Sequence, residues 1–296
     1  MKLQRLLSVG AAASLVGLLL FSAPALAADA EEITISPASL KLEAKAGQST
    51  SGTFKVINTG NVDLKFSVYA SPYSVINTEY SPDYSVENKR NVISKHVTLS
   101  VTEGTLKPRE EQVVSYSIAA PADAAPGSHY TVLFAETVPS DSDGGVVVRT
   151  KRVGALARIT VDGERIEDAR TESITVPWWH WKSKLTANIH LDNTGNVDLD
   201  ATTSIMIKSL IGRKLHFEQR TNAVFPDNPR VISYEWGSKW KAGIYRVEVS
   251  SSIDGEDTTI SKLVVLAPAW AVALLAILVL ACLMLYGMRK INSKAE

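Results

Sequence analysis

Along most of the chain, apolar and polar residues alternate one for one. Leu64, Phe66 and Val68 alternate with Lys65, Ser67 and Tyr69, and Val97, Leu99 and Val101 with Thr98 and Ser100. The same period runs through Val114, Tyr116 and Ile118, and through Tyr130, Val132 and Phe134. Further on, Leu185, Ala187, Ile189 and Leu191 alternate with Thr186, Asn188, His190 and Asp192, and Tyr245, Val247 and Val249 with Arg246, Glu248 and Ser250. A period of two with one polar face predicts antiparallel strands that bury one side and wet the other. Many short strands between Gly, Pro, Asn and Asp turns predict β-sandwiches. Helical periodicity is almost absent between residues 28 and 266.

The two ends break this pattern. Residues 1–27 carry Lys2 and Arg5, then an uncharged apolar stretch over 6–21, then Ala25-Leu26-Ala27. That order predicts a cleaved signal peptide. Residues 267–288 hold no charge, and at about 1.5 Å per residue a helix of that length crosses the roughly 30 Å hydrocarbon layer. Trp270 and Tyr286 stand near its ends, and Arg289, Lys290 and Lys294 follow. Aromatic rings at the interface and basic residues on the cytoplasmic side set the expected orientation, with the mature N-terminus outside and the tail inside.

An internal repeat divides what lies between. Asn58-Thr59-Gly60-Asn61-Val62-Asp63-Leu64 recurs unchanged as Asn193-Thr194-Gly195-Asn196-Val197-Asp198-Leu199, each copy between two apolar strands. Glycine's freedom to take positive φ, with Asn and Asp around it, reads as a β-connection. The expected organisation is a signal peptide at 1–27, an Ig-like sandwich at 28–162, a second at 163–267, a transmembrane helix at 268–288 and a cytoplasmic tail at 289–296. The fold class is all-β: two tandem Ig-like antiparallel sandwiches followed by one transmembrane helix. The first sandwich exceeds the minimal size by a polar stretch at 71–95, and a hairpin tip is expected at Asp141-Ser142-Asp143-Gly144-Gly145. The last strand runs into the membrane segment with no stalk, which keeps the second sandwich close to the bilayer.

Composition removes several classes. Lys+Arg and Asp+Glu are equal at 31 each, so the chain has no global basic footprint for nucleic acid. A single cysteine, Cys282, lies in the apolar C-terminal segment, which leaves no disulfide and no thiol catalysis outside it. His96, His129, His180, His190 and His216 are scattered without metal-ligand spacing, and Asp141 and Asp143 lack the remaining positions of a calcium loop. Neither a nucleophile elbow nor a phosphate loop occurs. No catalytic residue, metal or cofactor is expected, and the chain reads as a non-enzyme.

Two aromatic clusters remain as candidate binding sites. Tyr73, Tyr80 and Tyr84 lie in the polar excursion of the first sandwich, the kind of loop that serves as a recognition surface on a rigid scaffold. Trp178, Trp179 and Trp181 form an aromatic patch around His180. Three near-consecutive aromatics cannot all point inward from one strand, so at least one lies on a surface. Packing at the module boundary or near the membrane is the plainer account of the tryptophans.

The mature chain opens with Ile35-Ser36-Pro37 and "LKLEAKAGQSTSGTFKVINTGN", continues through "TLKPREEQVVSYSIAAPADAAPGSHYTVLFAET", and later reads "VGALARITVDG". In this order it resembles the WxL-interacting surface proteins of Gram-positive bacteria. The resemblance implies an N-terminal Ig-like domain similar to pilus chaperones, then a second β-sandwich, a membrane helix and a short basic tail. It further implies peptidoglycan as the partner of the first domain and a WxL-domain protein as partner of the second. The expected function is therefore a membrane-anchored, non-enzymatic surface protein that binds peptidoglycan or another surface protein. The alternative is an assembly factor that pairs a strand with partner subunits, as pilus chaperones do, which requires an exposed edge strand.

Overall fold

The structure is a computed structural model that describes residues 32–138, 150–237 and 241–292, with side chains to residue 288. The signal-peptide segment and the expected 141–145 hairpin tip lie outside the described residues.

Among the described residues, eleven strands precede residue 162: β1 (Ile33–Ser36), β2 (Ser39–Ala44), β3 (Ser49–Asn58), β4 (Leu64–Pro72), β5 (Ser74–Val75), β6 (Pro82–Asp83), β7 (Val97–Leu99), β8 (Glu103–Leu106), β9 (Glu111–Ala119), β10 (Gly127–Thr137) and β11 (Arg152–Val161). One sheet runs β1-β3-β9-β7 and the facing sheet β2-β11-β10-β4-β8; β5 and β6 pair as a small separate hairpin. The alternation explains the packing. Leu64, Phe66, Val68, Val114 and Ile118 are buried between the sheets, and the intervening polar residues point away. Each such side chain contributes roughly 1.5–3 kcal/mol by leaving water.

Eight more strands follow: β12 (Ala169–Thr175), β13 (Trp179–His180), β14 (Lys184–Asn193), β15 (Leu199–Ser209), β16 (Lys214–Val224), β17 (Arg230–Gly237), β18 (Gly243–Ile253) and β19 (Glu256–Leu266). They form sheets β12-β14-β17 and β13-β19-β18-β15-β16 around a second core that includes Leu185, Ile189, Leu191, Ile205 and Tyr234. Helix α1 (Ala269–Asn292) follows β19 after Ala267 and Pro268. Over Ala269–Met288 it is long and apolar enough to cross a membrane, and its side chains are not buried against the sandwiches.

The two heptads fold alike. Asn58 Nδ2 donates to the carbonyls of Val62 (2.7 Å) and Leu106 (3.1 Å), and its Oδ1 accepts from the Gly60 N–H (2.9 Å). Asn193 repeats this with Val197 (2.9 Å), Val224 (2.8 Å) and the Gly195 N–H (3.0 Å). Both asparagines are fully buried, so each side-chain amide satisfies main-chain groups that the turn would otherwise leave unpaired. The turn reading holds, but its expected reason is corrected: neither Gly60 nor Gly195 has positive φ. Gly195 is required by a close approach instead, since a Cβ there would collide with the Ile166 carbonyl.

One strand departs from the expected phase. Tyr130, Val132 and Phe134 were expected to face the core, yet the first core takes Leu133 and Ala135. Both faces of β10 are buried, because the excursion after β4 folds back over the outer face.

Candidate functional site

The polar excursion at 71–95 exceeds what a minimal sandwich needs, although its last turn contributes the fully buried Ile93 to the first core. It lies across the outer face of β10 and β11 and reaches the second sandwich. Tyr80 is 9% exposed and sits at positive φ (62°). Its hydroxyl donates to the Asn228 carbonyl (2.7 Å) and accepts from the Phe225 N–H (2.8 Å). The ring stacks on Phe225 (centroids 5.1 Å apart) beneath the Arg230 guanidinium (4.2 Å). Burial pushes the Tyr80 phenol up to about 12, with the nearby Phe225 N–H and Arg230 opposing that rise. Tyr80 is thus largely buried, its hydroxyl and ring used between the sandwiches, and it also lines a groove together with Tyr73 and Tyr84.

The junction around it is polar and closely bonded. The Val231 N–H donates to the Thr78 carbonyl (2.8 Å), and the Ser128 N–H to the Asn196 carbonyl (2.8 Å). Gly127, at φ 109°, lets β10 start against Asn196, where a Cβ would strike the Asn196 carbonyl. Arg158 pairs with Asp198 at 2.7 Å, with side chains 12% and 11% exposed, and also reaches Asp200 at 3.4 Å. Arg90 pairs with Asp227 at 2.9 Å. The second heptad is therefore both a turn and a docking point for the first sandwich. Sequence reasoning missed Arg90, Arg158, Phe225 and Arg230; Asp198 carried a signal by lying in the repeat.

Tyr73 and Tyr84 are half-buried and stay at the surface. Their rings lie 6.0 Å apart, and Tyr84 meets Phe134 edge to face at 4.9 Å. Arg152 stacks over Phe134 at 4.4 Å. Burial raises the Tyr73 phenol above its ordinary value. With Ala38, Pro82 and Gly154 these residues line a groove of about 440 Å³ on the outer sheet. A smaller cleft of about 220 Å³ opens on the other side of Tyr73, between Arg90, Tyr130 and Phe225.

The groove runs along an open strand edge. β2 pairs in parallel with β11 from Leu156 to Val161, and the Leu156 N–H donates to the Ala38 carbonyl (3.1 Å). By the pleat, the main-chain groups of Gly154 and Arg152 point to that same side. There the chain has already crossed to the other sheet, so among the described residues no strand pairs with Arg152–Ala155 on that side.

The tryptophan patch lies elsewhere, at the C-terminal end of the second sandwich. Trp178 and Trp181 are exposed, and Trp179, partly covered, contacts both with ring centroids 5.6 and 5.2 Å away. His180 is buried and its ring nitrogen bonds the Pro177 carbonyl (3.1 Å); desolvation lowers its pKa. No group of three or more His, Cys, Asp or Glu able to hold a metal occurs among the described residues.

No protein-family model matches the chain, and no curated protein matches it by sequence. Solved structures similar in fold include the class 5 fimbriae chaperone CfaA, at 13% identity and a TM-score of 0.39, covering 79% of this chain and 99% of that one. The CsuC–CsuE chaperone–tip adhesion subunit pre-assembly complex of Acinetobacter baumannii is similar at 12% identity and 0.41, covering 80% and 99%. So is the Salmonella enterica SafA pilin in complex with the SafB chaperone, at 10% identity and 0.40, covering 80% and 99%.

Proposed function

We propose that this chain is a membrane-anchored, non-enzymatic binding protein of the cell surface that holds an extended segment of a protein partner. The observation that carries this reading is the outer edge of β11 at Arg152–Ala155, unpaired among the described residues, beside the groove of Tyr73, Tyr84, Phe134 and Arg152. An added strand draws affinity from main-chain hydrogen bonds and selectivity from pockets for alternate side chains, and an edge beside an aromatic groove supplies both. The long outer edge at β16 competes less well. It carries Lys214, Glu218 and Arg220, charges of the kind that protect edges, and Arg220 is tied to the Ser233 carbonyl of β17 (3.0 Å).

In this reading residues 1–27 are a signal peptide and 28–162 and 163–267 two surface modules. Residues 268–288 span the membrane and 289–296 lie in the cytoplasm. The first module takes the partner, which agrees with the strand-pairing alternative drawn from the sequence and with a surface protein of the WxL type. A cell-wall glycan stacking on Tyr84 is the rival ligand for the same groove.

A photo-crosslinking amino acid placed at Tyr84 in intact cells tests the proposal. Recovery of one polypeptide, with its crosslinked peptide extended and lost when Arg152→Pro removes an outward N–H from the edge, supports it. Crosslinking to wall polymer, or a polypeptide adduct indifferent to Arg152→Pro, overturns it.

A further inference from the structure

The second sandwich joins the first to the helix. Its sheet register fixes which of its ends faces the helix, and that end is unlike the other. β18 begins at Gly243 opposite Leu266, the last residue of β19. Ser209 lies opposite Tyr245, so continuing the antiparallel register brings Ile211 level with Gly243 and Leu266. β13 runs parallel to β19 with His180 beside Leu266, which brings Trp181 level with Ala267. Two loop tips from opposite sides of the sheet therefore end at the height where the chain leaves it. The helix begins three residues later, a rise of at most about 10 Å, and the headgroup layer on each side of the hydrocarbon is roughly 5–8 Å thick.

The chemistry of the two tips matches that layer. Ile211 is 91% exposed and Leu210 beside it is also exposed; Trp178 and Trp181 are 67% and 68% exposed. Such side chains on a soluble surface cost solvation, whereas tryptophan and large aliphatic groups favour the membrane interface. The segments 176–184, 209–215 and 241–246 contain Lys182, Lys184, Arg213, Lys214, Lys241 and Arg246 and no acidic residue, with Lys184 paired to Glu235 of β17. At the far end of the same sheet, the β18–β19 turn reads Asp254-Gly255-Glu256-Asp257. A chain with zero net charge has thus been polarised along one sandwich, basic and apolar toward the helix and acidic away from it. Basic groups near an anionic leaflet are attracted to it, and acidic ones are kept off.

We infer that the second sandwich is seated on the bilayer by the Trp178–Trp181 and Leu210–Lys214 tips, which enter the headgroup layer on either side of the helix. With neighbouring strands about 4.8 Å apart, β13 stands one strand from β19 on one side and the β15–β16 tip two to three strands away on the other. These two tips and the helix make a three-point footing. It fixes the sandwich upright, and the bonded junction carries that orientation to the first sandwich. The inference rests on the reading of α1 as a span.

The full chain, in vesicles of phosphatidylcholine and phosphatidylglycerol, tests it with an environment-sensitive fluorophore on one cysteine at a time. In a Cys282→Ser background the label is placed by Ile211→Cys or, as the distal control, by Glu256→Cys; a third sample carries it on native Cys282. The expected result is a blue shift and loss of iodide quenching at position 211. Nitroxides near the headgroup end of the acyl chains should also quench that label. The control remains fully open to iodide. Reversal of charge in Arg213→Glu/Lys214→Glu should restore iodide access at 211. If position 211 is as open to iodide as the control while Cys282 is quenched by nitroxides deep in the chains, the helix spans and the footing is refuted. Shielding at 211 without nitroxide quenching refutes lipid as the occupant. Absence of deep quenching at Cys282 removes the span itself.

Discussion

Tyr80→Phe isolates the coupling between the two sandwiches. The substitution keeps the ring stacked on Phe225 and under Arg230 and deletes the hydroxyl alone. Two groups lose a partner: the buried N–H of Phe225 and the carbonyl of Asn228. Leaving a buried donor unpaired costs about 1–3 kcal/mol, and a lost bond at a part-buried carbonyl about 0.5–1.5 kcal/mol. The expected total is about 2–3 kcal/mol, all of it at the junction, because Tyr80 belongs to neither main core. For a folded unit spanning both sandwiches this lowers the first unfolding midpoint by about 5–10 °C. A single cooperative transition should then separate toward two, since each core keeps its own contacts. Calorimetry on the full chain in lipid reads the midpoint. Pulsed dipolar spectroscopy between spin labels at Glu103 and Lys262, with Cys282 replaced by Ser, reads the spread of inter-sandwich distances. Tyr84→Phe is the internal comparison, because the contacts described for Tyr84 engage its ring, and it should leave both readings unmoved. If Tyr80→Phe melts with the wild type and keeps its distance distribution, the loop is a surface ornament and the clamp does not exist.

Two further predictions concern each sandwich separately. Gly195→Ala forces a Cβ against the Ile166 carbonyl and should cost about 1–3 kcal/mol in the second sandwich; an unchanged denaturant midpoint would contradict the close-approach account. His129, buried and donating from Nε2 to the Ala125 carbonyl (2.8 Å), has its pKa lowered by desolvation and by Arg90. The unfolded chain protonates near pH 6.5, so the unfolded state binds the extra proton first and stability falls as pH drops below about 6.5. His180 adds to the same slope, and His129→Gln should flatten part of it in urea titrations between pH 5 and 7, while an identical slope would exclude the histidine.

What the sequence made legible follows from how far apart the interacting residues lie. β4 and β14 were readable because one face is wet, so their period of two is written in polarity. β10 was not, because the excursion covers its second face and leaves an apolar run whose phase polarity cannot mark. The heptads declared themselves as turns through residue type, a local property. The demand on Gly195 comes from Ile166, 29 positions earlier, and no local pattern encodes it. Tyr80 shows the same limit more sharply. Its setting is polar and reads as a solvated loop, yet its partners Phe225 and Asn228 lie 145 and 148 residues away. The tryptophans and Ile211 are a third case, since their exposure became informative once the sheet order placed them at one height beside the helix. Periodicity reports the medium on either side of a strand. It is silent on which distant segment supplies that medium, and in this chain the candidate groove, the clamp and the membrane footing are all built from such distant pairs.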